Sequence, residues 1–359
     1  MKPTIVHIID DFGRGGAETM LVKVTHALTE YNNVVVTLYP RNEFEEKIGD
    51  SFYCLHLQSN LAIPKAAFQL RQIIKKHSAI LVHSHLFWST VVARLGTPRS
   101  VPLLTTIHAF VASSVEYQPL KMRVVEKLTY LYRKSTIIAV AKGALEEYFR
   151  FIKVKPHKAI ALYTFVDTEI FKATADTNKA YSDDIFSLVT VGNLKGQKNH
   201  HFLLEAFKQL KNEPIHLDIY GNGVLENELQ QIIDEHQLKV HLKGQVQNIQ
   251  DRLMGYNLFV MSSHYEGFAL SVLEAMALGM PLLLSDIASF KEQCADTALY
   301  FSIKNTDEFV AKVKALSKNP EQLKALSIAT KERVLAHFTF THHMQQLREI
   351  YLENTNVTC

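Results

Sequence analysis

Two blocks of alternating short apolar runs and longer amphipathic segments dominate the sequence, and this alternation constrains the fold more than any other feature. In the first block, amphipathic stretches such as Gly16–Thr29, Pro64–Lys76 and Pro119–Lys134 predict helices. Strands that alternate with helices are typical of parallel sheets covered on both faces. The predicted strands of this block are Ile5–Ile9, Val34–Tyr39, Ile80–His83, Leu103–Ile107, Ile137–Val140 and Ala159–Leu162.

The polar stretch Lys172–Asp184 separates the two blocks and has the composition of a linker. The pattern restarts after it, so we expect two doubly wound, Rossmann-like α/β domains, 1–168 and 169–339, that face each other across a cleft. Ligands should bind at the carboxyl ends of the strands. The last predicted helix, His342–Glu353, is expected to cross back to the first domain within segment 340–359. The second block contains predicted strands at Phe186–Val191, Ile215–Tyr220, Val240–Leu242, Leu258–Met261 and Pro281–Leu284 and predicted helices at Asn199–Lys211, Val224–Glu235, Ile249–Met254 and Phe268–Leu278.

The composition excludes several classes of protein. Of the 359 residues, 47% are hydrophobic and 21% are charged, which is the usage of an ordinary globular protein. A net charge of +3 gives no reason to expect a nucleic-acid partner. The three cysteines lie far apart in no metal-binding spacing, and no apolar run approaches the roughly 18 residues of a membrane span. We therefore expect a soluble, cytoplasmic protein.

A glycine-rich loop follows the first predicted strand and opens the first helix, with Gly13, Gly15 and Gly16 in the segment Asp11–Glu18. Glycines at such a turn let backbone amides approach an anion at the helix N-terminus. A nicotinamide dinucleotide site would also need an acidic residue after the second strand, where Tyr39-Pro40-Arg41 stands. The pattern favours a phosphate-facing loop at the interdomain cleft, while a dinucleotide site and a plain tight turn remain alternatives.

Two glutamates frame the start of the predicted helix Phe268–Leu278. Glu266 lies in the preceding loop, Gly267 lets the chain turn, and Glu274 stands about 10–12 Å further along. That spacing suits a sugar ring and a ribose joined by a diphosphate, which would meet the free amides of Phe268, Ala269 and Leu270 at the positive helix end. A capped surface helix with an ordinary glutamate is the alternative.

Two further side chains follow predicted strands, at the carboxyl ends where ligands are expected to bind. Lys198, in the loop after the strand Phe186–Val191, can place a point charge on a leaving phosphate; a solvated loop lysine is the alternative. His108, at the carboxyl end of the strand Leu103–Ile107, can donate to or accept from a sugar hydroxyl, or it can be purely structural. The remaining histidines show no metal-ligand pattern with Asp or Glu, so no metal site is expected.

With these motifs in place, the sequence resembles family 4 of the GT-B glycosyltransferases, the "group 1" retaining transferases, over nearly its whole length. The glutamate pair with seven residues between its members is the most specific match. The other matching pieces are the Gly13–Glu18 loop, His108, Val166-Asp167 with Phe171, Gly192 through Lys198-Asn199, Tyr220–Gly223, Gly244-Gln245-Val246 and Gly279-Met280-Pro281.

The resemblance implies a role for each matching residue. It implies that Glu266 contacts the hydroxyls of the donor sugar, that Glu274 holds the nucleotide ribose, and that His108 lies beside the transferred sugar. Lys198 would neutralise the diphosphate. The family needs no catalytic metal, and no other cofactor is expected. The other implied donor-binding residues are Gly15, Gly16, Asn193, Gly221, Gln245, Val246, Gly267, Phe268, Ala269 and Leu270.

The implied activity is retaining transfer of a sugar from a nucleotide-diphosphate sugar, UDP-linked rather than GDP-linked, to a glycan, a lipid-linked sugar or another hydroxyl acceptor in cell-surface polysaccharide or glycoconjugate synthesis. A nucleotide-sugar 2-epimerase and a phosphorylase of the same fold are alternatives. Asn193 stands where the family usually has an Arg, so either Lys195 or Arg14 substitutes for it or the diphosphate is bound more weakly. An inactive nucleotide- or glycan-binding homologue is therefore a further alternative.

One segment of the first block is strongly basic. Residues 119–158 hold ten Lys or Arg against three acidic residues, a net charge of about +7. Part of it, Pro119–Lys134, is amphipathic and carries Tyr130 and Tyr132. This pattern predicts a peripheral contact with an anionic membrane, with a solvated basic helix as the alternative.

Overall fold

The computed structural model describes residues 2–13, 15–108, 110–112, 114–171 and 185–355. The chain divides into two compact units, Met1–Tyr163 with Thr341–Cys359, and Thr164–Phe340. Each unit contains one parallel sheet with helical crossovers, so the predicted pair of doubly wound α/β domains is confirmed. The predicted linker Lys172–Asp184 and the proposed substitute Arg14 lie outside the described residues.

The first unit is built on a seven-stranded sheet in the order β3-β2-β1-β4-β5-β6-β7, in which all neighbouring strands are parallel. Its central strands are buried along their whole length, as expected for a sheet covered on both faces. The strands are β1 Thr4–Ile9, β2 Asn32–Thr37, β3 Ser51–Cys54, β4 Leu81–His85, β5 Leu103–Ile107, β6 Thr136–Ala139 and β7 Lys158–Ala161. The helices are α1 Gly16–Ala27, α2 Ile63–Lys76, α3 Phe87–Gly96, α4 Leu120–Tyr132 and α5 Lys142–Ile152.

The second unit has a six-stranded parallel sheet in the order β10-β9-β8-β11-β12-β13. A large apolar core packs against this sheet. The strands are β8 Phe186–Val191, β9 Ile215–Tyr220, β10 Val240–Gly244, β11 Leu258–Met261, β12 Leu282–Ser285 and β13 Leu299–Phe301. The helices are α6 His200–Gln209, α7 Glu226–His236, α8 Ile249–Leu253, α9 Leu270–Ala277, α10 Ala288–Cys294, α11 Thr306–Ser317 and α12 Pro320–His337.

The last helix, α13 (Phe340–Thr355), packs on the first unit, as the sequence predicts. Its Tyr351 is fully buried and shares a hydrogen bond of 2.8 Å with Nδ1 of His83 in β4. Nearer the surface, the guanidinium of Arg348 donates to Glu30 at 2.6 Å. Over the described residues, none of the helices combines the length and the apolar character needed to cross a bilayer.

Both sheets reverse their strand order at one point, between β1 and β4 in the first unit and between β8 and β11 in the second. At such a point the crossovers on either side run in opposite directions, so the loops at the carboxyl ends of the two strands diverge and leave a crevice. Ligands of open α/β sheets bind there. The loops after β1, β4, β8 and β11 are therefore where functional side chains are expected.

Candidate active site

Two loops of the second unit meet beside its strand-order reversal. β8 and β11 are hydrogen-bonded neighbours, with Leu188 opposite Leu258. The loop after β8 runs through Gly192 to Lys198, and the loop after β11 contains Ser263 and Glu266. Because both strands run the same way, both loops leave the same edge of the sheet.

The side chains of Lys198 and Glu266 form an ion pair at this edge. Lys198 Nζ donates to Glu266 Oε1 at 2.7 Å, and their side chains are only 14% and 8% exposed. Ser263 Oγ donates to the same carboxylate oxygen at 2.6 Å, and Gln197 Nε2 reaches the other one at 3.4 Å. The structure thus brings together two of the three predicted catalytic side chains. Ser263 and Gln197 were not predicted, since short polar residues in loops carry no periodic signal.

Further hydrogen bonds hold the two loops together. Ser262 Oγ donates to the carbonyl oxygens of Lys198 and Asn199, at 3.1 and 2.9 Å. The amide of His264 donates to the carbonyl of Gln197 at 2.9 Å. These contacts fix the backbone on both sides of the ion pair, so the pair is positioned before any ligand binds.

Two of the glycines predicted from sequence are closely packed in this region. A Cβ on Gly192 would lie 3.0 Å from Cε of Lys198, so the lysine side chain crosses the backbone where no side chain is present. Gly221 has a φ of +136°, and a Cβ on it would lie 2.1 Å from the carbonyl oxygen of Gly192. Gly221, implied by resemblance to line the base, therefore has a structural role of its own.

The segment after Glu266 differs from the prediction in one respect. Helix α9 begins at Leu270, not at Phe268, and the amide of Ala269 donates to Gln293 Oε1 at 3.2 Å. The predicted free amide of Ala269 is therefore already engaged, and the first-turn amides without an intrahelical acceptor are those of Leu270, Ser271 and Val272. Glu274, the second of the two glutamates, lies in the next turn of α9 and is half-buried.

The remaining predicted donor residues of this unit lie around the ends of β8, β9 and β10. Gly221 donates to the carbonyl of Gly244 at 2.9 Å, and Asn222 Nδ2 donates to Gln245 Oε1 at 3.2 Å. Val246 is half-buried, while Asn193 is exposed.

Two more predicted donor residues of this unit follow β11. Gly267 is half-buried and Phe268 is buried, its ring 5.2 Å from that of Phe338.

In the first unit, the glycine-rich loop lies where the sequence predicts, between β1 and the start of α1. The amide of Gly13 donates to Asp11 Oδ1 at 2.8 Å, and that of Gly15 donates to the carbonyl of Gly13 at 3.0 Å. Gly15 caps α1 and Gly16 is its first residue. A Cβ on Gly15 would lie 2.3 Å from Glu18 Oε2, so this glycine makes room for the carboxylate.

His108 follows β5, at the carboxyl end of the first sheet. Its Nε2 shares a hydrogen bond of 3.1 Å with Nδ1 of His85 at the end of β4. Burial lowers the pKa of His108 to about 4, with the nearby His343 contributing, so the ring is neutral at pH 7. A neutral imidazole can donate or accept one hydrogen bond but brings no charge to a ligand.

The first unit also contains a cluster of three histidines that the sequence analysis did not single out. Candidate ligand atoms of His7, His83 and His85 all lie within 4.8 Å of one another in the first unit. His7 is on β1 and the other two are on β4, so they are far apart in sequence. A His-x-His pair that starts at the last residue of a predicted strand, together with a histidine on another predicted strand, was the signal available in the sequence.

Two family models match the chain, and together they cover most of it. The model described as "Glycosyltransferase Family 4" matches residues 14–170, and the model described as "Glycosyl transferases group 1" matches residues 173–333.

Two of the curated relatives match over about half of their length. The N-acetylgalactosamine-N,N'-diacetylbacillosaminyl-diphospho-undecaprenol 4-alpha-N-acetylgalactosaminyltransferase of Campylobacter jejuni is 29% identical over 215 residues, 58% of this chain and 58% of that enzyme. An uncharacterized glycosyltransferase of Methanocaldococcus jannaschii is 30% identical over 200 residues, 53% of this chain and 49% of the relative. The chain thus matches about half the length of these two relatives.

Among solved structures, the chain is similar to Anabaena HepE in complex with UDP. The TM-score is 0.84 at 16% identity, over 98% of this chain and 100% of that one. At this identity the likeness shows a shared fold, the GT-B fold.

Proposed function

Because the chain belongs to the group 1, family 4 glycosyltransferases, we propose that it transfers a sugar from a nucleotide-diphosphate sugar to a hydroxyl acceptor, with retention and without a catalytic metal. The observation that carries this proposal is the ion pair of Lys198 with Glu266 at the strand-order reversal of the second unit. A buried carboxylate and a partly buried ammonium, side by side, match the two ends of a sugar phosphate, which are hydroxyl-rich and anionic respectively.

In this proposal the donor binds across the ion pair. Glu266 accepts hydrogen bonds from sugar hydroxyls, and the free N–H donors of Lys198 turn to the diphosphate. The first-turn amides of α9, from Leu270 to Val272, add the positive end of a helix dipole. Glu274, one turn further on, holds the ribose. Uracil is the favoured base, which is supported by UDP in the structure of HepE.

The transfer step is proposed to occur on one face of the sugar. The bond from the anomeric carbon to the diphosphate oxygen breaks as the acceptor oxygen bonds to the same carbon, and the acceptor proton passes to the departing phosphate. Glu266 already accepts from Lys198 and Ser263, which makes it a poor covalent nucleophile and a good hydroxyl acceptor. Lys198 stabilises the charge that develops on the leaving group, which is often the largest catalytic contribution.

We propose a lipid-linked sugar as acceptor, reached at a membrane surface through helix α4. This helix buries Glu126 and Tyr130 on one side. Opposite them, an apolar stripe faces solvent, in which Leu120 is 68% and Leu128 is 60% exposed. The stripe consists of Leu120, Val124, Leu128 and Leu131, at helical spacing.

Basic side chains flank this stripe. Lys121 lies on one side of it and Lys127 on the other, the arrangement of helices that lie in the interface of an anionic bilayer. The name of the Campylobacter relative, which contains diphospho-undecaprenol, supports an acceptor of this kind.

Incubation with a panel of nucleotide sugars tests the activity. We expect UDP to raise the unfolding temperature more than GDP, and one UDP-sugar to be consumed only when a lipid-linked acceptor is added. An epimerase would convert the donor without an acceptor, and a phosphorylase would release sugar phosphate from a glycan. Either product, or the lack of a shift with every nucleoside diphosphate, would contradict the proposal.

A further inference from the structure

We propose that His7, His83 and His85 bind a divalent transition metal, with Zn²⁺ the best match, inside the first unit. The binding stands on the geometry of these imidazoles and does not depend on the proposed transferase activity.

Strand pairing brings the three side chains together. β1 and β4 are parallel neighbours in which His7 lies directly opposite His83, and His85, two residues further along, faces the same side of the sheet. Ring centroids are 4.2 Å apart for His83 and His85, and 6.0 and 6.3 Å from His7 to each of them. In a tetrahedral zinc site with Zn–N bonds of about 2.1 Å, ligand nitrogens lie about 3.4 Å apart. Candidate nitrogens already within 4.8 Å need only small ring rotations to reach this spacing.

The hydrogen bonds of His7 leave one nitrogen as an unprotonated acceptor. Asn33 donates from Nδ2 to the carbonyls of Leu28 and Thr25, at 2.9 and 3.3 Å, which orients its Oδ1 toward His7. His7 Nε2 lies 3.2 Å from this oxygen and must carry the proton. Nδ1 is then a buried lone pair, without a hydrogen-bond partner among the described residues. Metal-binding histidines typically donate the N–H of one ring nitrogen to a carbonyl oxygen and bind the metal through the lone pair of the other nitrogen.

The other two histidines can complete the set. His85 bonds to His108 through Nδ1, and its buried Nε2 has no partner within the part of the chain that is described. His83 Nδ1 bonds to the hydroxyl of Tyr351, and its Nε2 to the hydroxyl of Thr106 at 2.7 Å. Rotation of Thr106 about χ1 would move its Oγ1 away from Nε2 and free this nitrogen for a metal, while Tyr351 still holds the ring.

The surroundings suit a neutral ligand set. All three histidines are buried among neutral groups, and the unprotonated imidazole is the form that binds metals. A cavity of about 20 Å³ beside His83 and His85, also lined by Thr106 and His343, has room for one water as a fourth ligand. Three imidazoles and a water form a common zinc coordination set.

Metal binding would also set the protonation of His108. A metal on His85 Nε2 places the proton of His85 on Nδ1, so His108 must accept through Nε2 and donate through its own Nδ1. This consequence does rest on the proposed function, in which His108 lies beside the sugar, whereas the metal site does not.

The test is direct metal binding by the full chain after removal of metals with a chelator. We expect a single equivalent of Zn²⁺ to survive desalting and to raise the unfolding temperature, since it binds only the folded state. Co²⁺ should give a tetrahedral visible spectrum without the thiolate band that Cys54 or Cys294 would produce. His7→Asn and His85→Asn should each weaken binding at least tenfold.

His200→Asn is the matched control, because His200 is also buried and also has a ring nitrogen without a partner among the described residues, yet it belongs to the other unit. This variant should bind Zn²⁺ like the parent. The proposal is overturned if the unmodified chain retains no metal and shows no stabilisation, or if binding falls equally in His200→Asn. Because both readouts use the unmodified chain, a variant that fails to fold does not remove the test.

Discussion

Lys198 Nζ and Glu266 Oε1 lie 2.7 Å apart although 68 positions separate them in the sequence. The resemblance assigns these residues to different parts of the donor, the diphosphate and the sugar. Their direct contact places both functions at one point of the second unit, and the donor must insert between groups that are already paired. Breaking this ion pair costs free energy, and only a ligand that bonds to both side chains recovers that cost.

Replacement of either partner should reduce sugar transfer. We expect Lys198→Ala and Glu266→Ala each to lower the transfer rate at least tenfold, because loss of one preorganised electrostatic contact typically costs about 3 kcal/mol. The rate with saturating donor and acceptor is the measurement. Lys208→Ala, which removes a lysine of α6 that pairs with Glu205, is the control and should keep the parental rate. Parental turnover in both site variants would exclude these roles.

Helix α4 should govern attachment to membranes. We expect Leu128→Glu to reduce sedimentation with anionic liposomes at least tenfold, because it removes a side chain whose burial is worth about 1.5–3 kcal/mol and adds a repelled charge. Ile328→Glu makes the same kind of change at a residue of α12 that is 51% exposed, and it should sediment like the parent. Equal losses in both variants, or none in Leu128→Glu, would show that the stripe is an ordinary solvated surface.

The same helix is anchored by a buried ion pair. Arg94 of α3 donates to Glu126 at 2.8 Å and to the hydroxyl of Tyr148 at 3.2 Å, and the side chains of Arg94 and Glu126 are fully buried. Glu126→Ala leaves an uncompensated buried cation, so we expect the free energy of unfolding to fall by about 3–5 kcal/mol. Urea denaturation measures this.

An exposed pair provides the comparison for that measurement. Lys158 and Glu353 lie 3.1 Å apart with both side chains in contact with solvent, so Glu353→Ala should cost less than about 1 kcal/mol. A loss in Glu126→Ala as small as this would mean that Arg94 finds another partner or admits water.

Acid should destabilise the second unit through His200. Burial, with the charge of Lys198 contributing, lowers the pKa of His200 from 6.5 to about 4. Between these values the unfolded chain takes up a proton that the folded chain does not, so the free energy of unfolding decreases as the pH falls. In His200→Asn this decrease should be shallower by about 1.4 kcal/mol per pH unit.

Denaturation curves from pH 7 to pH 4, with a chelator present, measure this slope. His56→Asn alters an exposed histidine that is already in a left-handed backbone conformation, which asparagine tolerates. Its curve should run parallel to that of the parent. A slope in His200→Asn that equals the parental slope would show that His200 is protonated in the folded chain.

The strands that sequence predicted well are rich in apolar and β-branched residues, such as β5 and β8, whose bounds match the prediction. The edge strand β3 was missed because it is short and its residues are half-buried or exposed. Helix α3, which is buried on most of its sides, was not among the helices named from the sequence.

Contacts between distant segments explain what else sequence could not show. The start of α9 was placed too early because Gln293, 24 positions away from Ala269, takes up its amide. The histidine cluster depends on the pairing of β1 with β4, which no local pattern encodes. Glu266 and Lys198 were predicted individually, but their contact follows from the strand order, in which β11 lies beside β8.

The contact of Tyr351 with His83 has a consequence for biosynthesis. The first unit is discontinuous along the chain, since its sheet is encoded at the beginning and its last helix at the end. The ribosome must therefore translate the whole second unit before His83 in β4 can form its hydrogen bond with Tyr351. Of the two units, the one that begins to emerge first is therefore completed last. Until α13 packs on it, the apolar surface that this helix covers stays exposed to chaperones.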